Sequence, residues 1–202
     1  MNRLVLIVVL LLTSLSLSTS GAVTLQLKSG QVRYEVQLKT LGIGGDNVSA
    51  VNRSVIGKVS VAEDGRVEGG LVVPVIGFDS NNTKRDKDVA NILKYKTYPA
   101  ITFEVVDIAK GDIERILESD SGAVNIRAKI AAAGGSRVYD LVLHFHSAGT
   151  DAVRFTTQLA AKFSDFGVDP PRLGLFLKTA PDRIDLSGDL VFQVEKETQD
   201  QP

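Results

Sequence analysis

The chain has 202 residues, with 23 basic and 24 acidic side chains and a formal net charge of −1. Nucleic-acid binding requires a concentrated basic face, and the densest charged cluster, residues 84–88, nearly cancels itself, so we expect no nucleic-acid partner. The chain has no cysteine, which excludes disulfides and lipid attachment through an N-terminal cysteine. Packing of the core therefore has to supply the stability.

The first 22 residues have the pattern of an export signal. Arg3 precedes an apolar run from Leu4 to Leu12, which is shorter than the roughly 20 residues of a membrane-spanning helix but long enough for a secretory signal. Ser20 and Ala22 place small side chains where a signal peptidase requires them. We predict a signal peptide over 1–22, with an end at Ser18 or Ser20 as the alternative, and a single domain over 23–202. We also predict no transmembrane anchor and a periplasmic or secreted mature protein.

Alternation of apolar and polar residues dominates the rest of the chain and predicts strands with one buried face. An Asp64-Gly65 turn signal joins two of these segments into a hairpin. About eight strands is the number at which an up-and-down barrel closes around side chains or one small ligand. We therefore predict an all-β, lipocalin-like antiparallel barrel, with an open sandwich as the alternative. The predicted strands cover residues 32–38, 55–61, 67–76, 101–105, 124–130, 139–145, 153–159 and 184–194.

Two segments interrupt this pattern with helical spacing. Thr83 and Asp86 have the spacing of a capping box, and apolar residues follow at helical intervals. This pattern predicts a helix over about 84–94, whose apolar face covers one end of the barrel as a lid. The helix is expected to stop before Pro99, which favours an extended residue in front of it. A short second helix is predicted over about 112–118.

Three short motifs occur in order along the chain: Phe78-Asp79-Ser80, Lys84-Arg85-Asp86 and the run from Tyr98 to Phe103. With these motifs the chain resembles the YceI-like proteins, which are exported, lipocalin-like barrels associated with polyisoprenoids and related lipids. The resemblance extends through the segment Phe163–Gly167 to the last strand. It implies a cavity that holds an apolar small molecule such as an isoprenoid, a quinone-like molecule or a fatty-acyl chain, for transport, storage or sequestration.

The candidate ligand contacts are side chains that the alternation points inward or that lie near strand ends. Any one of them could also simply fill the core. Arg85 is the polar candidate, because at a barrel mouth it could pair with a phosphate or carboxylate headgroup; the alternative is a surface residue bonded to a neighbouring acid. The predicted ligand-binding residues are Tyr34, Phe78, Arg85, Tyr98, Ile101, Phe103, Phe145, Phe155, Phe163 and Phe166.

His144 and His146 are the only histidines in the chain. Their spacing suits metal binding, but alternation points both outward if Phe145 faces the lumen, so we predict a solvated strand face with no metal. We expect no cofactor and no catalytic residue. Two alternatives stay open: a filled barrel that binds another protein, and a hydrolytic or metal-dependent enzyme using these histidines. The oligomeric state, monomer or dimer, also stays open.

Overall fold

A computed structural model describes residues 23–40, 45–173 and 178–196. The predicted signal peptide lies outside these residues. The described part contains helices α1 (Thr83–Ile92) and α2 (Lys110–Glu118) and short 3₁₀ turns at Val75–Gly77 and Phe163–Phe166. Its strands are β1 (Val23–Thr40), β2 (Gly45–Asn52), β3 (Ile56–Val61), β4 (Val67–Pro74), β5 (Phe78–Asp79), β6 (Ala100–Ile108), β7 (Ser121–Ala132), β8 (Gly135–Ser147), β9 (Ala152–Ala161), β10 (Arg172–Leu173), β11 (Lys178–Thr179) and β12 (Ile184–Lys196).

Eight of these strands form a closed antiparallel ring, in the order β1, β12, β9, β8, β7, β6, β4 and β3, with β3 pairing back to β1. The long strand β1 makes this closure possible, because its first part pairs with β3 and its second part pairs with β2. The predicted barrel is therefore confirmed, and the open sandwich is wrong. Closure pairs the backbone N–H and C=O groups of the edge strands, which could otherwise form hydrogen bonds with other chains.

Alternation along each strand sorts side chains between the interior and the surface. On β7, Ile126, Ala128 and Ile130 are buried, whereas Arg127 and Lys129 are exposed. The interior contains two hydrophobic clusters, one toward each end of the barrel. Among the helices that the structure describes, none is long and apolar enough to cross a membrane.

Helix α1 lies at one end of the barrel, where Val89, Ile92 and Leu93 pack against the nearer cluster. Its predicted cap is wrong. The side chain of Asn82 caps the helix by accepting from the Arg85 backbone N–H at 3.0 Å, so the helix begins one residue earlier than expected. Asp86 instead accepts from the backbone and hydroxyl of Ser80.

Helix α2 lies at the opposite end of the barrel, because α1 precedes β6 and α2 follows it. The predicted short helix is confirmed and extends by two residues at its N-terminal end, starting at Lys110. Ile113 and Ile116 are its buried residues, and Ile116 belongs to the cluster at this end. Each end of the barrel is therefore covered by one helix.

The wall of the barrel has a stretch without backbone pairing between β8 and β9, named here the seam. Strand β8 pairs with β7 along almost its whole length, but only His144–Ser147 pair with β9. Beyond the paired part, the Thr157 hydroxyl donates to the Val142 carbonyl at 2.8 Å. The 3₁₀ turn Phe163–Phe166 then contacts β8, where Asp165 accepts from the Tyr139 hydroxyl at 2.7 Å and from Arg137 at 2.6 Å. Side chains replace backbone pairing there.

Candidate ligand cavities

The larger interior cavity, named here the α1 cavity, has a volume of about 350 Å³. Small-molecule sites typically occupy roughly 300 to 1,000 Å³, so this volume falls within that range. Its walls combine inward residues of β1 with the apolar face of α1 and the 3₁₀ turn before β10. The lining includes Val32, Tyr34, Val36, Leu38, Phe78, Arg85, Val89, Ile92, Leu93, Ile101, Phe103, Ile130, Ala132, Phe163, Phe166, Ile184 and Leu186.

A second cavity of about 150 Å³, the α2 cavity, lies at the other end. Its lining includes Leu25, Leu71, Phe103, Ile113, Ile116, Leu141, Phe155, Leu190 and Phe192. Phe103 lines both cavities. Val55, Tyr139 and Leu159 pack against both hydrophobic clusters, so a layer of side chains that includes Phe103 divides the lumen into two compartments.

Most of the predicted ligand contacts meet in the α1 cavity. Phe155 lies instead in the α2 cavity. The sequence indicated inward-facing side chains but not which compartment each would reach, because that depends on the position of every strand along the barrel. The predicted residues lining the α1 cavity are Tyr34, Phe78, Arg85, Ile101, Phe103, Phe163 and Phe166.

Two predicted contacts lie elsewhere among the described residues. Phe145 faces inward as expected but is only 2% exposed and lines neither cavity. Its ring occupies the space where a side chain at Gly122 would stand, since an added Cβ would lie 2.9 Å from the ring. Tyr98 is 41% exposed. It lies before the start of β6, so the alternation of inward and outward side chains along that strand does not apply to it. Its ring lies against Gly134.

Arg85 lines the α1 cavity but is held by a serine rather than by an acid. Its Nε donates to the Ser80 hydroxyl at 2.8 Å, and Nη2 donates to the Ser80 carbonyl at 2.6 Å. Asp86 accepts from the same serine, so the loop before α1 fixes both charged side chains. This arrangement keeps a half-buried guanidinium beside a largely apolar cavity, whose lining near α1 also includes Asn82, Lys84 and Asp88.

Tyr34 lines the α1 cavity as predicted and places a polar atom among apolar side chains. It is 5% exposed, and its ring packs against Phe78 with centroids 5.3 Å apart. Its hydroxyl is buried and has no hydrogen-bond partner among the residues described. Burial and the negative charge of Asp86 raise the pKa of Tyr34 to about 12, against an opposing effect of Arg85. The hydroxyl therefore stays protonated at neutral pH.

His144 and His146 are both exposed on the outer face of β8, and Phe145 between them faces inward. Within 23–40, 45–173 and 178–196, no group of three or more histidine, cysteine or acidic side chains could hold a metal ion.

The nearby ion pair of Arg154 with Asp189 bridges β9 and β12. The hydrogen bond from Arg154 holds the pKa of Asp189 below its usual value, with a smaller effect of His146.

The family model of the YceI-like domain matches residues 20–192. This match confirms the resemblance drawn from the three short motifs. Among curated proteins, none gives a significant match.

Several solved structures share this architecture. A polyisoprenoid-binding domain from Saccharophagus degradans, implicated in plant cell wall breakdown, superposes with a TM-score of 0.66 at 12% identity, over 87% of this chain and 99% of that one. BcnA from Burkholderia cenocepacia gives 0.58 at 18% identity, over 80% and 95%. A Campylobacter jejuni YceI protein gives 0.56 at 20% identity, over 79% and 90%. At these identities the similarity establishes the fold.

Proposed function

Because this chain belongs to the YceI-like family, we propose that it is an exported binding protein that holds an apolar, lipid-like molecule inside its barrel. The observation that carries the proposal is the α1 cavity, with about 350 Å³ of space, largely apolar walls and charged groups beside α1. A polyisoprenoid, a quinone-like molecule or a fatty-acyl chain has the matching chemistry: a long apolar tail and a compact polar end.

The energetics favour binding without any catalytic group. Burying apolar carbon contributes about 0.8 kcal/mol per CH₂, so a tail of about 15 carbons gains on the order of 12 kcal/mol before costs. Immobilising the ligand and its tail then removes several kcal/mol. The remainder is sufficient for useful affinity, and specificity for the polar end needs only a few well-placed donors.

The proposed path of the ligand passes the lid helix. Val89 and Ile92 of α1, together with Leu93 directly after it, form part of the cavity wall, so displacing α1 would expose the cavity at that end. The same helix carries Arg85, which would meet the polar end of a ligand entering tail first. Transport, storage and sequestration all use this binding step.

Export is the other part of the proposal, with residues 1–22 as a cleaved signal peptide and the periplasm or the medium as the destination. Sequencing the N-terminus of the secreted or periplasmic protein tests it. We expect the mature chain to start at Val23, and an uncleaved chain that stays in the cytoplasm would contradict the proposal.

The ligand is best identified by extracting the purified protein with organic solvent and analysing the extract by mass spectrometry. Ala132 lines the α1 cavity, so Ala132→Phe should place a ring in it. Its neighbour Ala131 pairs with Thr102, which is exposed on the outer face, so Ala131→Phe adds the same ring outside the lumen.

We expect the wild type and Ala131→Phe to retain a lipid-like molecule at near-stoichiometric amounts and Ala132→Phe to lose it. A wild-type protein that yields no lipid, and takes up no apolar probe after extraction, would contradict the proposed function. Equal lipid in both variants would place the molecule outside the α1 cavity.

A further inference from the structure

We infer that the Tyr34 hydroxyl donates a hydrogen bond to an oxygen of the ligand, so that the α1 cavity selects apolar chains that carry an oxygen acceptor. The inference rests on the proposed function and adds a requirement for the chemistry of the ligand. Hydrocarbon chains without oxygen satisfy the apolar wall but leave the hydroxyl unbonded. Alcohols, carbonyl compounds and phosphate esters of the same chain satisfy both.

Packing alone does not account for a tyrosine at this position. The neighbouring inward residues of β1 are Val32, Val36 and Leu38, and the ring contact with Phe78 would be equally available to phenylalanine. Most buried side-chain polar atoms in proteins have a hydrogen-bond partner. A buried polar atom without a hydrogen-bond partner is destabilising. The described residues supply no partner for the Tyr34 hydroxyl, so we expect the partner to come from a bound molecule.

The surroundings determine which kind of partner fits. Tyr34 and Arg85 both line the α1 cavity, and Arg85 can only donate hydrogen bonds. The nearby carboxylate of Asp86 accepts from Ser80 instead of from Tyr34. Asn82 and Asp88 also line the cavity and carry acceptor oxygens. The Tyr34 hydroxyl keeps its proton, so Tyr34 and Arg85 are the donors of this wall, and the ligand group that complements these two is an acceptor oxygen.

The substitution Tyr34→Phe tests this inference because it removes the hydroxyl and keeps the ring. Tyr95 is partly buried and lines neither cavity, so Tyr95→Phe is a matched control. The probes are an isoprenoid alcohol, its monophosphate and the hydrocarbon of the same chain, each titrated into delipidated protein.

We expect Tyr34→Phe to weaken binding of the alcohol by about threefold to tenfold, the range for one hydrogen bond, and to leave the affinity for the hydrocarbon unchanged. Tyr95→Phe should change neither. A similar loss for the monophosphate would mean that the hydroxyl binds an oxygen common to both head groups, whereas a loss limited to one of them identifies the preferred head group.

Unchanged binding of both the alcohol and the monophosphate in Tyr34→Phe, or a loss for the hydrocarbon equal to that for the oxygen-bearing probes, would overturn this inference and leave the proposed function intact. If no probe binds the wild type, both fail. Thermal unfolding without ligand gives a second measurement. A Tyr34→Phe midpoint at or above that of the wild type is expected, and a clearly lower midpoint would show that the hydroxyl already has a partner in the unliganded protein.

Discussion

Replacing Asp165 with asparagine should loosen the seam of the barrel. The carboxylate accepts hydrogen bonds from the Tyr139 hydroxyl at 2.7 Å, from Arg137 at 2.6 Å and from the Lys162 backbone N–H at 3.1 Å. Its side chain is only 7% exposed. These bonds hold the 3₁₀ turn against β8 where β8 and β9 are not paired, so the substitution acts on the closure of the wall.

The magnitude follows from the individual contacts. A hydrogen bond to a charged group contributes about 1.5 to 3 kcal/mol, and Asp165→Asn removes the charge while turning one acceptor into a donor. The Arg137 side chain is 58% exposed, so its share is reduced by solvent to less than about 1 kcal/mol. Asparagine keeps one acceptor oxygen, so we count the loss of one charged hydrogen bond together with the reduced Arg137 share and expect a loss of about 2 to 4 kcal/mol in the free energy of unfolding.

Urea unfolding measures this loss, with an unchanged m-value as evidence that the two proteins unfold alike. Asp140→Asn is the matched control, because Asp140 lies on β8 next to Tyr139, and its side chain is 91% exposed and pairs only loosely with Arg127. It should stay within about 0.5 kcal/mol of the wild type. A similarly small effect for Asp165→Asn would refute this account of the seam.

The pH dependence provides a second check. Burial alone would raise the pKa of Asp165, but the hydrogen bonds from Tyr139, Lys162 and Arg137 outweigh it and hold the pKa below its usual value. Because the folded-state pKa is lower than the unfolded value of about 3.9, the stabilisation is present above about pH 4 and is lost as the pH falls through the folded-state pKa. The difference between wild type and Asp165→Asn should therefore shrink in acid.

Two further substitutions test the interior. Phe103→Ala should join the α1 and α2 cavities, because Phe103 lines both. Mass spectrometry of the extracted ligands should then show longer chains than in the wild type. An unchanged distribution of chain lengths would contradict the role of Phe103 in separating the two cavities. Asn52→Ala should destabilise the fold by about 2 to 3 kcal/mol, because the fully buried Asn52 donates to the Pro74 carbonyl at 2.7 Å and accepts from the Ser54 N–H at 2.8 Å. Chemical unfolding with a midpoint equal to that of the wild type would contradict this second estimate.

The barrel was predictable because alternation is a local signal that survives in each strand separately. The first residues of β1 were missed, although Val23, Leu25 and Leu27 are apolar residues at alternate positions, because they directly follow the predicted signal peptide. The start of α1 was misplaced by one residue because Asn82 and Thr83 are both good cap residues, and only the backbone geometry decides between them.

The site was predictable only in part, because cavities depend on contacts between distant strands. Alternation indicated that Phe145 and Phe155 both face inward, but the glycine at position 122, which makes room for the Phe145 ring, lies on another strand. The seam, the division of the lumen by Phe103 and the unbonded hydroxyl of Tyr34 likewise arise from tertiary packing. A tyrosine among aliphatic inward residues on β1 was the one signal in the sequence that pointed to the last of these features.

Calorimetric titration of the delipidated protein with an isoprenoid alcohol, repeated at several temperatures, tests whether the barrel encloses a binding chamber. We expect saturable binding of a single molecule with a negative heat-capacity change, the signature of buried apolar surface, and loss of that signal in Ala132→Phe. Absence of saturable heat in the wild type, or the same signal in Ala132→Phe, would contradict it.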